Sequence, residues 1–320
     1  PASFAGSDVE GWNDTASLPL LPTEESVEVF RRMRRFPRLD LDDRRSWRAR
    51  PHRELDATND KGFMDLSSRE RPEGFWPVFK GESFDLWTPD TGARYAWADP
   101  GVLLEHLQRK RRKGSENRLS PFSEFDRAVL EDPATLPCRH PRIAFRDVTN
   151  RTNRRTVIVA LVPPEVFLSN QAPYLLWPRG SRQDEAFLLG ILSSLPLDWY
   201  ARRFVETHLN FFVFNPLPIP RPPADDAIRR RVIEVAGRLA CPDDRFARWA
   251  REVGVSWGPL PPDEQGDLVR ELDALAALLY GLEEEHLVHV FETFHEGWDF
   301  EDRLRGTLEH FARWKARRDR

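Results

Sequence analysis

The stretch RIAFRDVTNRTNRRTVIVALVPP, residues 142–164, decides the fold class. Its first limb, RIAFRDV (142–148), sets Ile143, Phe145 and Asp147 against Ala144, Arg146 and Val148, the two-residue period of a strand. Its second limb, RTVIVALVPP (155–164), is a β-branched run that stops at two prolines, which cannot donate to a ladder. Between them TNRTNR (149–154) is a polar loop, so the pattern predicts two strands carrying a hairpin tip rich in Asn, Thr and Arg.

Upstream, a helix is expected from Thr23 as N-cap, with Glu24 and Glu25 in its first turn, Val27, Phe30 and Met33 along one face, and an end before Pro37. Residues 38–72 are charged and aperiodic and read as a connector with turn chemistry at Asn59-Asp60. FWPVFKGESFDLWTP (75–89) is aromatic-dense and is expected to form two short strands turning at Lys80-Gly81. A helix from Pro100 to Lys113 follows, with Leu103, Leu104 and Leu107 on one side and the basic run RKRRK (109–113) at its end.

Downstream, residues 184–206 read as a helix broken at Pro196, a residue that suits the first turn of the second piece. HLNFFVFNPLPIPRPP (208–223) is expected to be a strand with a Pro-rich exit. Helices over 225–240, 263–280, 283–295 and 299–317 complete the chain, with Gly281 as a natural C′ residue. The expectation is therefore an α+β chain whose C-terminal part is mainly α-helical.

Composition excludes disorder: of 320 residues, 40% are hydrophobic and 31% charged. No apolar run approaches the roughly 20 residues that span a bilayer, and the N-terminus has no signal-peptide pattern. The expected location is cytoplasmic, with no membrane partner. Cys138 and Cys241 are too few for a zinc site and are expected to be reduced, buried thiols.

The formal net charge of -4 argues mildly against a nucleic-acid binder, but the charge is polarised. Between Arg139 and Arg182 lie Arg139, Arg142, Arg146, Arg151, Arg154, Arg155, Arg179 and Arg182 against only Asp147 and Glu165. Only five of the 48 basic residues are Lys, which places the charge on guanidinium forks suited to phosphate and guanine edges.

Several enzyme classes lack their signatures. There is no G-x-G-x-x-G, no phosphate-binding G-x-x-x-x-G-K-[ST], no G-x-S-x-G and no C-x-x-C. No acidic residue lies two positions before any Lys, as a metal-dependent restriction nuclease would need. Asn215-Pro216-Leu217-Pro218 only approaches the Asn-Pro-Pro-aromatic loop of an amino-methyltransferase. His286 and His289, beside Glu283 to Glu285, read first as part of a helix start complementing its dipole rather than as metal ligands. The chain is expected to hold no metal and no catalytic residue.

The positive signal is Arg146 to Thr156. Arg suits guanine O6/N7 and phosphate, Asn suits adenine N6/N7, and Thr suits phosphate or the thymine methyl. On composition alone a solvated polar loop is the plainer reading. The same holds for the basic helix end at 109–113, and core packing is the plainer reading of the aromatic cluster Phe75, Trp76, Phe79, Phe84 and Trp87.

Four segments in order then bear a resemblance. RELDATNDKGFMDL (53–66) followed by WPVFKGESFDLW resembles the opening of the target-recognition region of type IIG restriction–modification proteins and related phage-defence (BREX- or DISARM-like) adenine-N6 DNA methyltransferases. Lys80-Gly81-Glu82 departs there from the family's acid-Gly-Lys order. RIAFRDVTNRTNRRTVIVALVPP, AFLLGILSSLPLDWYARRFVETHLNFFVFNPLPIP and ELDALAALLYGLEEEHLVHVFETF resemble, in turn, the family's hairpin, the element that follows it and the helical tail.

The resemblance covers roughly residues 53–313 and implies a division of the chain. Residues 1–74 would be a helix and connector from an upstream methyltransferase domain, 75–223 the target-recognition domain and 224–320 the helical module. It implies double-stranded DNA as partner, with an upstream methyltransferase domain or subunit and other defence-system proteins beside it. S-adenosylmethionine would sit in the upstream domain, not in this chain. The implied DNA contacts are Arg146, Asn150, Arg151, Thr152, Asn153, Arg154 and Arg155, then Lys80, Arg111, Arg112, Arg202, Arg203, His208 and Asn210. The other reading is a non-catalytic adaptor that binds a partner protein in a defence complex.

Overall fold

The computed structural model describes residues 19–150 and 152–318. The fold is α+β, with a helical C-terminal part. The chain divides into two units. One comprises the residues up to Leu41, the segment from Thr149 to Val157 and everything from Arg182 onward; the other comprises residues 42–148 and 158–181. The hairpin's strands belong to one unit and its tip to the other.

The strand-containing unit holds two sheets. Strands β1 (Arg48–His52), β4 (Arg142–Phe145), β5 (Val159–Val162) and β7 (Tyr174–Arg179) form an antiparallel sheet in the order β1-β7-β4-β5. Strands β2 (Trp76–Phe79), β3 (Ala96–Ala98) and β6 (Phe167–Leu168) form the second, with β3 antiparallel and β6 parallel to β2. The hairpin register pairs Arg142 with Val162 and Phe145 with Val159. Every residue of β4 and β5 is buried, which explains two apolar-rich runs with little alternation between wet and dry faces.

Three sequence expectations change here. The connector contains a strand: β1, RARPH, has no apolar run to reveal it, and Arg48 instead reaches the Glu124 carboxylate at 3.0 Å. Of the two strands expected within 75–89, only β2 forms, and Gly81–Ser83 is a 3-10 turn in which Ser83 Oγ accepts the Lys80 N–H at 2.9 Å. The second hairpin strand begins at Val159 rather than Arg155, because the amides of Thr156 and Val157 are taken by a side chain elsewhere.

The helical unit is built on helices Glu24–Arg34, Arg182–Ser193, Leu195–Ala201, Ala227–Ala240, Ala247–Val253, Pro262–Leu279, Glu284–Glu292 and Glu301–Arg318. Thr23 caps the first as expected, accepting the Ser26 N–H at 3.1 Å. Helices 182–193 and 227–240 cross closely at Gly190. A Cβ there would lie 2.8 Å from Val232 Cγ1 and 3.0 Å from Ala236 Cβ. The expected strand at 208–223 is instead a four-residue helix, Phe211–Phe214, because Asn210 caps it through Val213 N and the following Asn-Pro ends it. Only the exit is extended: Ile219 N–H donates to Pro37 O at 2.8 Å.

Candidate nucleic-acid interface

The loop between β4 and β5 leaves its sheet after a last bond from Arg146 N–H to Ile158 O at 3.0 Å. From Thr149 to Val157 it packs within the helical unit, and its conformation there is heavily determined. Asp198, in the first turn of helix 195–201 and fully buried, accepts the N–H groups of Thr156 and Val157, each at 3.1 Å, and the Arg155 guanidinium. Arg155 also donates to Ser193 O at 2.8 Å and Ser194 O at 3.2 Å. That helix is itself fixed: its Leu195 N–H donates to the buried Asp273 carboxylate at 2.8 Å, which also receives Arg303 at 3.0 Å.

The outgoing limb is tied just as firmly. Thr149 N–H donates to Thr207 O at 3.1 Å, and its hydroxyl donates to Thr156 O at 2.9 Å across the neck of the loop. Asn150 Oδ1 accepts the N–H and hydroxyl of Thr152 at 2.9 and 2.7 Å, an Asx turn at the tip. Arg202 donates to Asn153 O at 2.7 Å and Phe294 O at 2.9 Å, with its guanidinium 4.0 Å from the Phe294 ring centroid.

The predicted contact residues therefore divide. Thr152 and Arg154 are exposed at the tip, and Arg154 has no intramolecular partner among the described residues. Asn150 and Asn153 are half-buried beside them, and Arg151 lies outside the described residues. Arg155 turns inward, its charge compensated by Asp198 and its fork filled by carbonyls. Arg202 is buried, and burial lowers its pKa. Arg203 donates to Trp199 O and Thr293 O and stacks over the Trp199 ring at 4.3 Å, with burial pulling it down to about 10. These three guanidiniums are used inside the protein. His208 is exposed, and Asn210 serves as a helix cap.

In the strand-containing unit the remaining candidates are also occupied unevenly. Arg146 donates to Phe84 O at 3.1 Å and lies 3.5 Å from Asp85. Lys80 pairs with Glu82 at 2.6 Å. Helix Pro100–Ser115 turns Leu103, Leu107 and Arg111 inward at four-residue spacing, so Arg111 is buried and donates to Thr135 Oγ1, Gln108 Oε1 and Asp132 O. Arg112 is exposed, as are Arg109 and Lys113. Trp76, Phe79 and Phe84 are core residues, while Phe75 and Trp87 are half-buried.

Other features of the sequence are taken up within the fold. Pro216 to Pro220 are buried, so the Asn-Pro segment does not line an open site. His286 Nδ1 accepts the Glu283 N–H at 3.0 Å in a capping arrangement, and His289 Nε2 meets Ser26 Oγ at 2.9 Å. No three His, Cys, Asp or Glu side chains of the described residues converge as metal ligands, and no helix among them is long and apolar enough to cross a membrane.

No protein-family model matches the chain, and no curated protein does so. Among solved structures, the chain is similar in part to one described as a type IIL restriction-modification enzyme, MmeI, in complex with DNA, at 15% sequence identity and a TM-score of 0.40. The match covers 76% of this chain and 35% of that one, so the chain spans about a third of the MmeI chain's length.

Sequence reasoning missed Asp198. A carboxylate in a helix's first turn looks like ordinary dipole complementation, and nothing local to PLDWY announces that it holds a loop about 40 residues away.

Proposed function

We propose that this chain is the duplex-reading part of a site-specific adenine-N6 DNA methyltransferase of the restriction–modification or phage-defence kind. Methyl transfer from S-adenosylmethionine would be carried out by an upstream domain or subunit. The observation that carries this reading is a polar loop whose neck is locked by a buried carboxylate and whose tip leaves Thr152 and Arg154 open to solvent. A base-reading loop needs both properties: side chains that reach a groove, and a backbone already ordered before binding. The order of the four family-like segments agrees with it.

On this reading Arg154 meets phosphate, as does Arg112 separately in the strand-containing unit; Asn150, Thr152, Asn153 and His208 reach base edges, and Arg151 is a further contact. The inward-turned Arg155 and Arg202 hold the loop's shape, while Arg203 is used elsewhere in the helical unit. The test is a gel shift of the chain on mixed-sequence duplex DNA, alone and with the methyltransferase domain, together with an assay of N6-methyladenine. The expected result is a salt-sensitive shift by the chain itself and site-specific methylation only when both parts are present. A chain that leaves DNA unshifted at low salt but captures the methyltransferase would make it an adaptor and refute the reading.

A further inference from the structure

Phe212 stands out on the helical unit. It is 53% exposed and is the sole aromatic among the eight exposed large hydrophobics of the described residues. Scattered exposed aliphatic side chains are ordinary on a protein surface, whereas an exposed ring offers a face on which a base can stack. The fold could have hidden it, since Phe214, two residues on, is fully buried. In the short helix Phe211–Phe214, capped by Asn210, Phe214 is buried and Phe212 is exposed. Its ring meets no other ring among the described residues.

Its position gives the exposure a use. The segment leading into this helix is bonded to the neck of the loop through Thr149 N–H and Thr207 O at 3.1 Å. Glu206, Thr207 and His208 are exposed along that segment. The neck of the loop and the segment that enters the Phe212 helix are thus joined by a backbone hydrogen bond within the helical unit.

We propose that Phe212 is a base-contacting wedge: when a duplex docks on the Thr152–Arg154 tip, its ring inserts against a base step and partly unstacks it. This rests on the DNA-contact reading above and adds to it a specific distortion of the nucleic acid. Apolar side chains at protein–DNA interfaces act this way, offsetting lost base stacking with contact to the inserted side chain. An enzyme that must extrude its target base gains from a duplex already unstacked nearby.

The test uses the full chain and mixed-sequence duplexes carrying 2-aminopurine at successive positions, with anisotropy of an end label reporting binding separately. Wild-type protein should raise 2-aminopurine fluorescence several-fold at saturation. Phe212→Ala should abolish the rise and weaken binding roughly tenfold without changing the salt slope, and Phe212→Leu should keep part of the rise. Because the side chain is exposed, both variants should melt with the wild type. Binding by anisotropy with no 2-aminopurine rise, or a rise that survives Phe212→Ala, overturns the wedge and leaves DNA contact intact. Absence of any binding at low salt overturns the DNA reading and the wedge with it.

Discussion

Asp198 is where one side chain governs the candidate site. It is fully buried and satisfied by one guanidinium and two backbone amides, an arrangement in which loss of a partner leaves polar groups stranded. Asp198→Ala should cost about 3–5 kcal/mol and loosen residues 149–157 first. Urea unfolding and amide exchange at Thr156 and Val157 would check this, and unchanged protection would contradict it. His52 offers a second residue-scale prediction. It sits edge-on to Phe122 and Tyr174 at 4.8 and 5.7 Å, and burial, with Lys110 as a lesser cause, depresses its pKa to about 4. Its unfolded form binds a proton more readily, so its contribution is complete above pH 6.5 and fades as pH falls toward 4. Allowing for partial exposure, the loss is on the order of 2 kcal/mol. His52→Gln should flatten that limb of the stability–pH curve, and an undiminished slope would exclude the assignment. Most of this scale is hidden in the sequence: Arg154 and Arg155 are adjacent and chemically identical, yet one faces water and the other a carboxylate set by the distant helix 195–201.

Elements are more legible than residues because their signals are local. The cap at Thr23, the break at Pro196 and the glycine after helix 262–279 each act within one turn, and each appears where the pattern places it; Gly281 adopts φ 67°. The misreadings share a cause, which is competition between local pattern and tertiary partners. FFVF has strand-like composition, but a capping Asn and one buried ring make it a helical turn. RARPH has no apolar signal, but it pairs along its length with β7. Close helix contact is likewise invisible until packed: Gly190 admits Val232 and Ala236 where any side chain would collide. Gly190→Val should therefore destabilise the helical unit by about 1–3 kcal/mol through forced separation of helices 182–193 and 227–240. A lowered midpoint in denaturant, with the strand-containing unit's near-UV signal less affected, is the expected observation, whereas a neutral substitution would mean the contact relaxes at no cost.

At the scale of the molecule, the α+β class follows from the 142–164 run and the helical periodicity beyond it, but the division into units does not. A hairpin whose strands and tip belong to different units cannot be inferred from where composition changes along the chain. Net charge is an equally blunt guide: the total of -4 says little when guanidiniums such as Arg155 are consumed inside the fold while Arg154 remains exposed at the tip. The most direct test of the central claim is the salt dependence of DNA affinity for three proteins, wild type, Arg154→Ala and Arg155→Ala. If the exposed tip meets phosphate and the neck only supports it, Arg154→Ala should lower the slope of log K against log salt by about 1 at an unchanged melting temperature. Arg155→Ala should instead lower the melting temperature and leave the slope of the folded protein intact. Equal slopes for wild type and Arg154→Ala, or no measurable binding at low salt, would contradict the account.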